Sequence, residues 1–189
     1  MDALDAIMTR RTVPQVKMAE PGPDDATLQA ILEAGLAAPD HGKLKPWRFI
    51  VIKGDARQRL GELFVQALPE INSQIGPADV EKQRNGPMRA PVIVAVVAAL
   101  EPSHPKIPRI EQICSAAAAA QNMLIAAHAL GFASKWSTGK NAYNTTVKRG
   151  LGVADHEEIV AFLYVGSYGA EQTIPPRPSL ADIVSEWQG

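Results

Sequence analysis

The chain has 189 residues, 46% hydrophobic and 21% charged, with a formal net charge of −1. That length suits one domain with a sizeable core, and the near-zero charge excludes a dedicated nucleic-acid binder, which carries a large basic excess. The one cysteine, Cys114, excludes an internal disulfide and a cysteine metal cluster.

Asp2 is placed to cap a first helix with Leu4, Ile7 and Met8 on one face, ending at Arg10-Arg11. The opening Met1-Asp2-Ala3-Leu4-Asp5 lacks the basic and apolar regions of a signal peptide, so a cytoplasmic protein is expected. An extended segment follows, punctuated by Pro14 and Pro21-Gly22-Pro23. Asp24 caps a second helix with Leu28, Ile31, Leu32 and Leu36 on one side, stopped by Pro39 because the residue before a proline resists helical geometry. Trp47 to Ile52 reads as a strand, and Asp55 opens a helix carrying Leu60, Leu63 and Phe64. Asn72 to Arg89, polar and rich in Gly and Pro, reads as a mobile excursion over the core with a short helix around Asp79 to Arg84.

Pro91 to Val97 is a continuous β-branched run, the pattern of a strand buried on both faces. A proline-rich loop then leads into a long helix from about Ile110 to Leu130, closed by Gly131 at its C′ position. Small and apolar on most faces, that helix is expected to be buried all round, centrally or against a partner subunit, with Cys114 as a packed thiol. Gln121 and Asn122 break its apolar run, so no membrane span is expected. Phe132 to Ser137 makes a short strand, Thr145 to Arg149 a short helix, and Ile159 to Val165 a last buried strand. The tail from Ala170 is proline-rich around Pro175-Pro176-Arg177-Pro178 and ends in an amphipathic turn at Leu180 to Val184 that has too little core of its own. Helices flanking a few strands without regular βαβ alternation indicate an α+β domain over 1–189.

Two segments carry chemistry. Arg10-Arg11-Thr12 offers forked donors and a hydroxyl at a helix end, an inventory that matches a phosphate monoester or, equally, a solvated basic helix terminus. Pro39-Asp40-His41-Gly42-Lys43-Leu44-Lys45-Pro46 is bracketed by prolines, as a site loop or an ordinary charged loop would be. Together the two could grip a phosphorylated planar cofactor from opposite ends. Trp136-Ser137-Thr138-Gly139 is either a ligand-lining turn or a strand-to-loop transition with a core tryptophan, and Arg177 is a stiffly presented guanidinium. His104, His128 and His156 have no metal-ligand spacing and read as surface or packing residues. No G-x-G-x-x-G, P-loop or G-x-S-x-G is present, which leaves a Rossmann, kinase or hydrolase reading unsupported.

The order of these pieces resembles the FMN-dependent nitroreductase family. Arg10-Arg11-Thr12, Ala37-Ala38-Pro39 with Pro46-Trp47-Arg48-Phe49, Gln121-Asn122-Met123-Leu124, Leu130-Gly131-Phe132 with Trp136, and Phe162 to Gly166 carry the resemblance over nearly the full length. Ala38-Pro39-Asp40-His41 is the form found in the family's short, minimal subgroup. The resemblance implies a mostly antiparallel central sheet flanked by helices, in an intertwined homodimer with a C-terminal extension and FMN at the interface. It implies that Arg10, Arg11 and Thr12 hold the phosphate and ribityl chain, joined by Arg177. Pro39, His41 and Lys43 would border the flavin across the dimer, and Trp136, Ser137 and Thr138 would line its ring. Lys43 and Lys45 stand where many relatives carry amides, and an ammonium can only donate. The implied reaction is ping-pong hydride transfer from NAD(P)H through flavin N5 to a small-molecule acceptor such as a nitroaromatic or quinone, with no side chain acting as acid or base. The same fold would also accommodate reductive dehalogenation, oxygen-dependent flavin chemistry, or a non-catalytic FMN carrier.

Overall fold

In the computed structural model, residues 1–169 and 176–189 are described. Asp2 caps α1 (Ala3–Thr9), its Oδ1 accepting from Asp5 N at 2.9 Å, and Asp24 caps α2 (Asp25–Leu36) through Thr27 N at 2.8 Å. Then follow β1 (Trp47–Lys53), α3 (Ala56–Gln66), α4 (Leu68–Ile71), α5 (Pro77–Asn85), β2 (Val92–Ala98) and α6 (Arg109–Ala129). The chain continues through β3 (Ala133–Ser137), α7 (Gly139–Tyr143), α8 (Thr145–Gly150) and β4 (Glu158–Gly166).

The strands form one antiparallel sheet in the order β1-β2-β4-β3. Its two faces explain the unbroken apolar run of β2. With a period of two, Ile93, Ala95 and Val97 point into one core with Leu60, Phe64, Val147 and Phe162, beneath α3 and α8. Val92, Val94 and Val96 point into the other with Leu28, Ile31, Met123 and Leu163, beneath α2 and α6. Phe64 and Phe162 meet edge to face, with centroids 5.6 Å apart. On the second face α2 approaches α6 closely: a Cβ on Gly35 would lie 2.9 Å from Met123 Cε.

The end of α6 follows the expected stop. Gly131 adopts φ 87°, its N–H donates to His128 O at 3.0 Å, and Phe132 N donates to Ala127 O at 2.8 Å, a Schellman closure that turns the chain directly into β3.

One expectation is corrected. The segment Asn72 to Arg89 is docked: it holds the nine-residue α5, whose Arg84 carbonyl packs so tightly on α3 that a Cβ on Gly61 would sit 2.1 Å from it. The α1 stripe of Leu4, Ile7 and Met8 faces outward, because this short helix packs through Ala6 alone. Within one copy of the chain, helix α6 is buried on one side only, so central burial is excluded and burial against a partner subunit is the alternative left open. Gln112, Ser115, Ala116, Ala119, Met123 and Ala127 face inward, while Ile110, Cys114 and Gln121 lie on an open face, so Cys114 is an exposed thiol. The tail's Leu180, Ile183, Val184 and Trp187 are likewise exposed, Trp187 at 91%. The part of the proline-rich tail between Ala170 and Pro175 lies outside the described residues.

Candidate functional site

At Arg10 the backbone leaves helical geometry (φ −56°, ψ 137°) and the next residues run along the outer edge of β3. Thr12 forms a bridge with Ser134, and Val13 N donates to Ser134 O at 3.1 Å. This stitching fixes the base of each side chain in the Arg10-Arg11-Thr12 group. The Arg11 guanidinium donates to the carbonyls of Thr9 and Arg10, which α1 leaves unpaired at its C-terminus. From the tail, Arg177 Nη2 donates to the same Arg10 carbonyl at 3.0 Å. From the last turn of α6, His128 Nε2 lies 2.9 Å from Thr9 Oγ1.

Three guanidiniums and an imidazole therefore converge, and among the described residues none of the four is paired with a carboxylate. Among the described residues, Arg48, Arg57, Arg84 and Arg109 are each paired with a glutamate. The cluster feels its own repulsion. Burial, then Arg177, then Arg11 lower the pKa of Arg10, and burial, then Arg11 and Arg10, lower that of His128. Beside Thr12, the Ser134 hydroxyl is buried with no hydrogen-bond partner among the described residues. A multivalent anion with several acceptor oxygens fits this donor set: it would neutralise the repulsion and take the forked N–H groups.

The Pro39 to Pro46 loop is built differently. Gly42, Lys43 and Lys45 all occupy the left-handed region, at φ 69°, 58° and 51°. Lysine disfavours that region, so fixed contacts must impose it. Asp40 Oδ2 accepts from Lys45 N at 2.8 Å, His41 Nδ1 lies 2.5 Å from Glu111 Oε2 at the start of α6, and a Cβ on Gly42 would meet Ile107 Cδ1 at 2.6 Å. His41 is thus spoken for by a carboxylate, whereas Lys43 and Lys45 project exposed and outside any ion pair among the described residues.

The two groups do not meet. His41 sits at Glu111 and the arginine cluster at His128, seventeen residues later on α6, or about 26 Å along its axis. An extended FMN is shorter than that, so the expected two-ended grip is not formed by one copy of the chain. Trp136 also differs from a free ring-stacking residue. It packs against the Leu28, Met123 and Leu163 core, and its Nε1 donates to Thr138 Oγ1 at 2.9 Å. Ser137 and Thr138 remain half-exposed at the end of β3, about 10 Å from Ser134 at strand rise. A groove of about 490 Å³ between β1, α3 and α8, lined by Val51, Arg59, Leu63 and Gly150, lies apart from all these residues. Among the described residues no cluster of His, Cys, Asp and Glu could hold a metal, and no helix is long and apolar enough to cross a membrane.

The sequence profile of the Nitroreductase family matches residues 7–167. The chain belongs to the nitroreductase family. It is 40% identical over 167 residues, 88% of each chain, to "Putative NAD(P)H nitroreductase YdjA" of Escherichia coli K12. Against a similarly named protein of Haemophilus influenzae it is 34% identical over 88% of this chain and 89% of that one. Among solved structures, the nitroreductase-like protein of Bacillus cereus superposes with a TM-score of 0.85 at 20% identity, covering 100% of this chain and 97% of that one. A Desulfovibrio desulfuricans protein solved in complex with FMN gives 0.75 at 25% identity, covering 98% and 96%. The antiparallel sheet flanked by helices is thus the family's fold.

The residue missed by sequence reasoning is His128. Its partner Thr9 is 119 positions away, and nothing local to α6 marks a histidine in its last turn as part of a cation cluster.

Proposed function

We propose that the protein is an FMN-dependent oxidoreductase that uses NAD(P)H, with one FMN-binding domain over 1–189 acting in the cytoplasm as a homodimer. The observation that carries this reading is the cluster of Arg10, Arg11, Arg177 and His128 next to Thr12, a cluster with no carboxylate partner among the described residues. An FMN phosphate, nearly dianionic, is the ligand that such a donor set accepts.

Within one chain, β3 leads from the phosphate side at Thr12 and Ser134 toward Ser137 and Thr138, which would then border the flavin ring. Trp136 acts from behind, stiffening that turn through its bond to Thr138. Pro39, His41 and Lys43 would reach the ring from the second copy, which removes the difficulty of the 26 Å separation along α6. The outward Leu4 (73% exposed) and Met8 (64%), the open face of α6 and the tail's Trp187 supply the apolar surface that a second copy would cover.

The chemistry supplied by bound FMN is alternating hydride acceptance from NAD(P)H and donation to a nitroaromatic, quinone or similar acceptor. The chain's residues bind and orient. Arg10, Arg11 and Arg177 anchor the phosphate, and the rigid Asp40 to Lys45 loop keeps its backbone fixed against α6, so that one side of the ring stays open to two substrates in turn. No side chain need transfer a proton.

Purified protein should be yellow, sediment as a dimer, and bleach on anaerobic mixing with NADH or NADPH. A colourless protein that ignores added FMN rejects the cofactor, whereas a yellow protein that neither nucleotide bleaches rejects the reductase.

A further inference from the structure

His128 stands in the last turn of α6, half-buried, where a helix C-terminus by itself favours an imidazolium. Here burial together with Arg11 and Arg10 opposes that charge. Donor counting fixes the tautomer. Thr9 has one hydroxyl proton and gives it to the Asp5 carbonyl. The same oxygen lies 2.9 Å from His128 Nε2, so Nε2 must carry a proton and donate to it. In the neutral ring Nδ1 is then the unprotonated nitrogen.

Arg11 and Arg10 are the charged groups that act on this ring, while Arg177 and Lys135 stand on the neighbouring tail and on β3. Arg10 and Arg11 directly follow α1, and Arg177 from the tail lies against the Arg10 carbonyl. Lys135 from β3 is held by Gln15 Oε1 at 2.5 Å. All four are cationic, and the three arginines have no carboxylate among the described residues to offset them. Burial first, then Arg11 and Arg10, oppose a charge on the ring, and a bound dianion would offset the part that the arginines contribute.

We propose that His128 is a proton-linked member of the phosphate site. In the phosphate-free protein it is neutral and donates to Thr9. When a phosphate monoester binds among Arg10, Arg11 and Arg177, Nδ1 takes one proton from bulk solvent and the imidazolium adds its charge to theirs. No bond of the ligand is made or broken. The inference rests on the assignment of the FMN phosphate to this cluster.

The linkage has a definite sign. A group that binds a proton more tightly in the complex than in the free protein makes binding strengthen as pH falls between its two titration midpoints. The phosphate's own second ionisation, near pH 6, ends that gain on the acid side, because the guanidiniums favour the dianion. FMN affinity should therefore rise from pH 7.5 to 6.5 and level off or fall below about 6.

The test follows the imidazole Cε1–H resonances of the full-length protein by NMR, with added FMN and, separately, with riboflavin, which lacks the phosphate. Only four histidines are present, and His128→Gln assigns the relevant signal while keeping an N–H able to reach Thr9. The expected result is an upward move of the His128 midpoint by about one pH unit with FMN and none with riboflavin, alongside a gain in FMN affinity of roughly twofold from pH 7.5 to 6.5 that His128→Gln lacks. The wild-type titration needs no variant to fold. Equal midpoints with FMN and riboflavin, or a pH gain that survives in His128→Gln, overturn the inference while leaving FMN binding intact. Absence of any FMN binding overturns the cofactor assignment and this inference with it.

Discussion

The two ends of α6 handle charge in opposite ways. At its start, Arg109 pairs with Glu158 at 2.7 Å, His41 with Glu111 at 2.5 Å, and nearby Arg48 grips Glu157 through Nε and Nη2 at 2.7 and 2.6 Å. At its end, Arg10, Arg11, Arg177 and His128 gather without a carboxylate among the described residues. Paired charges close a structure on itself. Like charges held together by backbone contacts raise the free energy of the folded chain until something anionic arrives, so their persistence points to a ligand. Both ends are cationic in sequence, and only the pattern of partners separates scaffold from site. The exposed Lys43 and Lys45 are the exception at the first end, carried on a backbone that is itself fully tied down.

The contrast breaks most sharply at Arg10 and Arg11. Replacing both with Ala should weaken FMN binding at least a hundredfold, since each charge-assisted contact contributes about 1.5–3 kcal/mol. Melting temperature in the absence of flavin should hold or rise, because mutual repulsion is relieved. Fluorescence titration and thermal melts check both, and a large loss of stability would make the cluster structural.

At the other end the signs reverse. Arg48→Ala leaves the buried Glu157 carboxylate with only the Ala154 N–H, and should cost about 2–4 kcal/mol of stability, discounted from a fully buried pair because Arg48 is partly exposed. The pH dependence follows. Arg48 holds the Glu157 carboxyl below the usual carboxylate range against the opposing effect of burial. Its stabilisation is therefore complete above the unfolded value of about 4.3 and is lost as pH falls through the lower folded value. Melts from pH 6 to 3 should show a steeper acid decline in wild type than in Arg48→Ala; parallel curves would remove Glu157 from the account.

The smallest effect belongs to His41. Both it and Glu111 are exposed at 58% and 46%, so Glu111→Gln should change stability by about 0–1 kcal/mol. A change of several kcal/mol would mean that the loop depends on this pair rather than on Asp40, Gly42 and Pro46.

Much of the scaffold was legible because its signals are local. Asp2 and Asp24 announce helix starts, Gly131 announces a stop, and the run from Val92 to Val97 announces a strand covered on both sides. The site was legible only in part. Arg10-Arg11-Thr12 stood out by composition, but the union of Arg177 and His128 with Arg10 joins residues far apart in sequence. The left-handed Lys43 and Lys45 were hidden, since lysine gives no hint of positive φ and the cause lies in contacts with Asp40 and with Ile107 across the loop. The outward face of α6 looked like core because small apolar residues serve a core and a subunit contact equally well.

The central claim, that the cluster at the end of α6 is a phosphate site, is tested most directly by comparing FMN with riboflavin on flavin-free protein. The account predicts that FMN binds at least a hundredfold more tightly, the difference shrinking with added salt and vanishing in the Arg10→Ala, Arg11→Ala double variant. Equal affinity for the two flavins would contradict it.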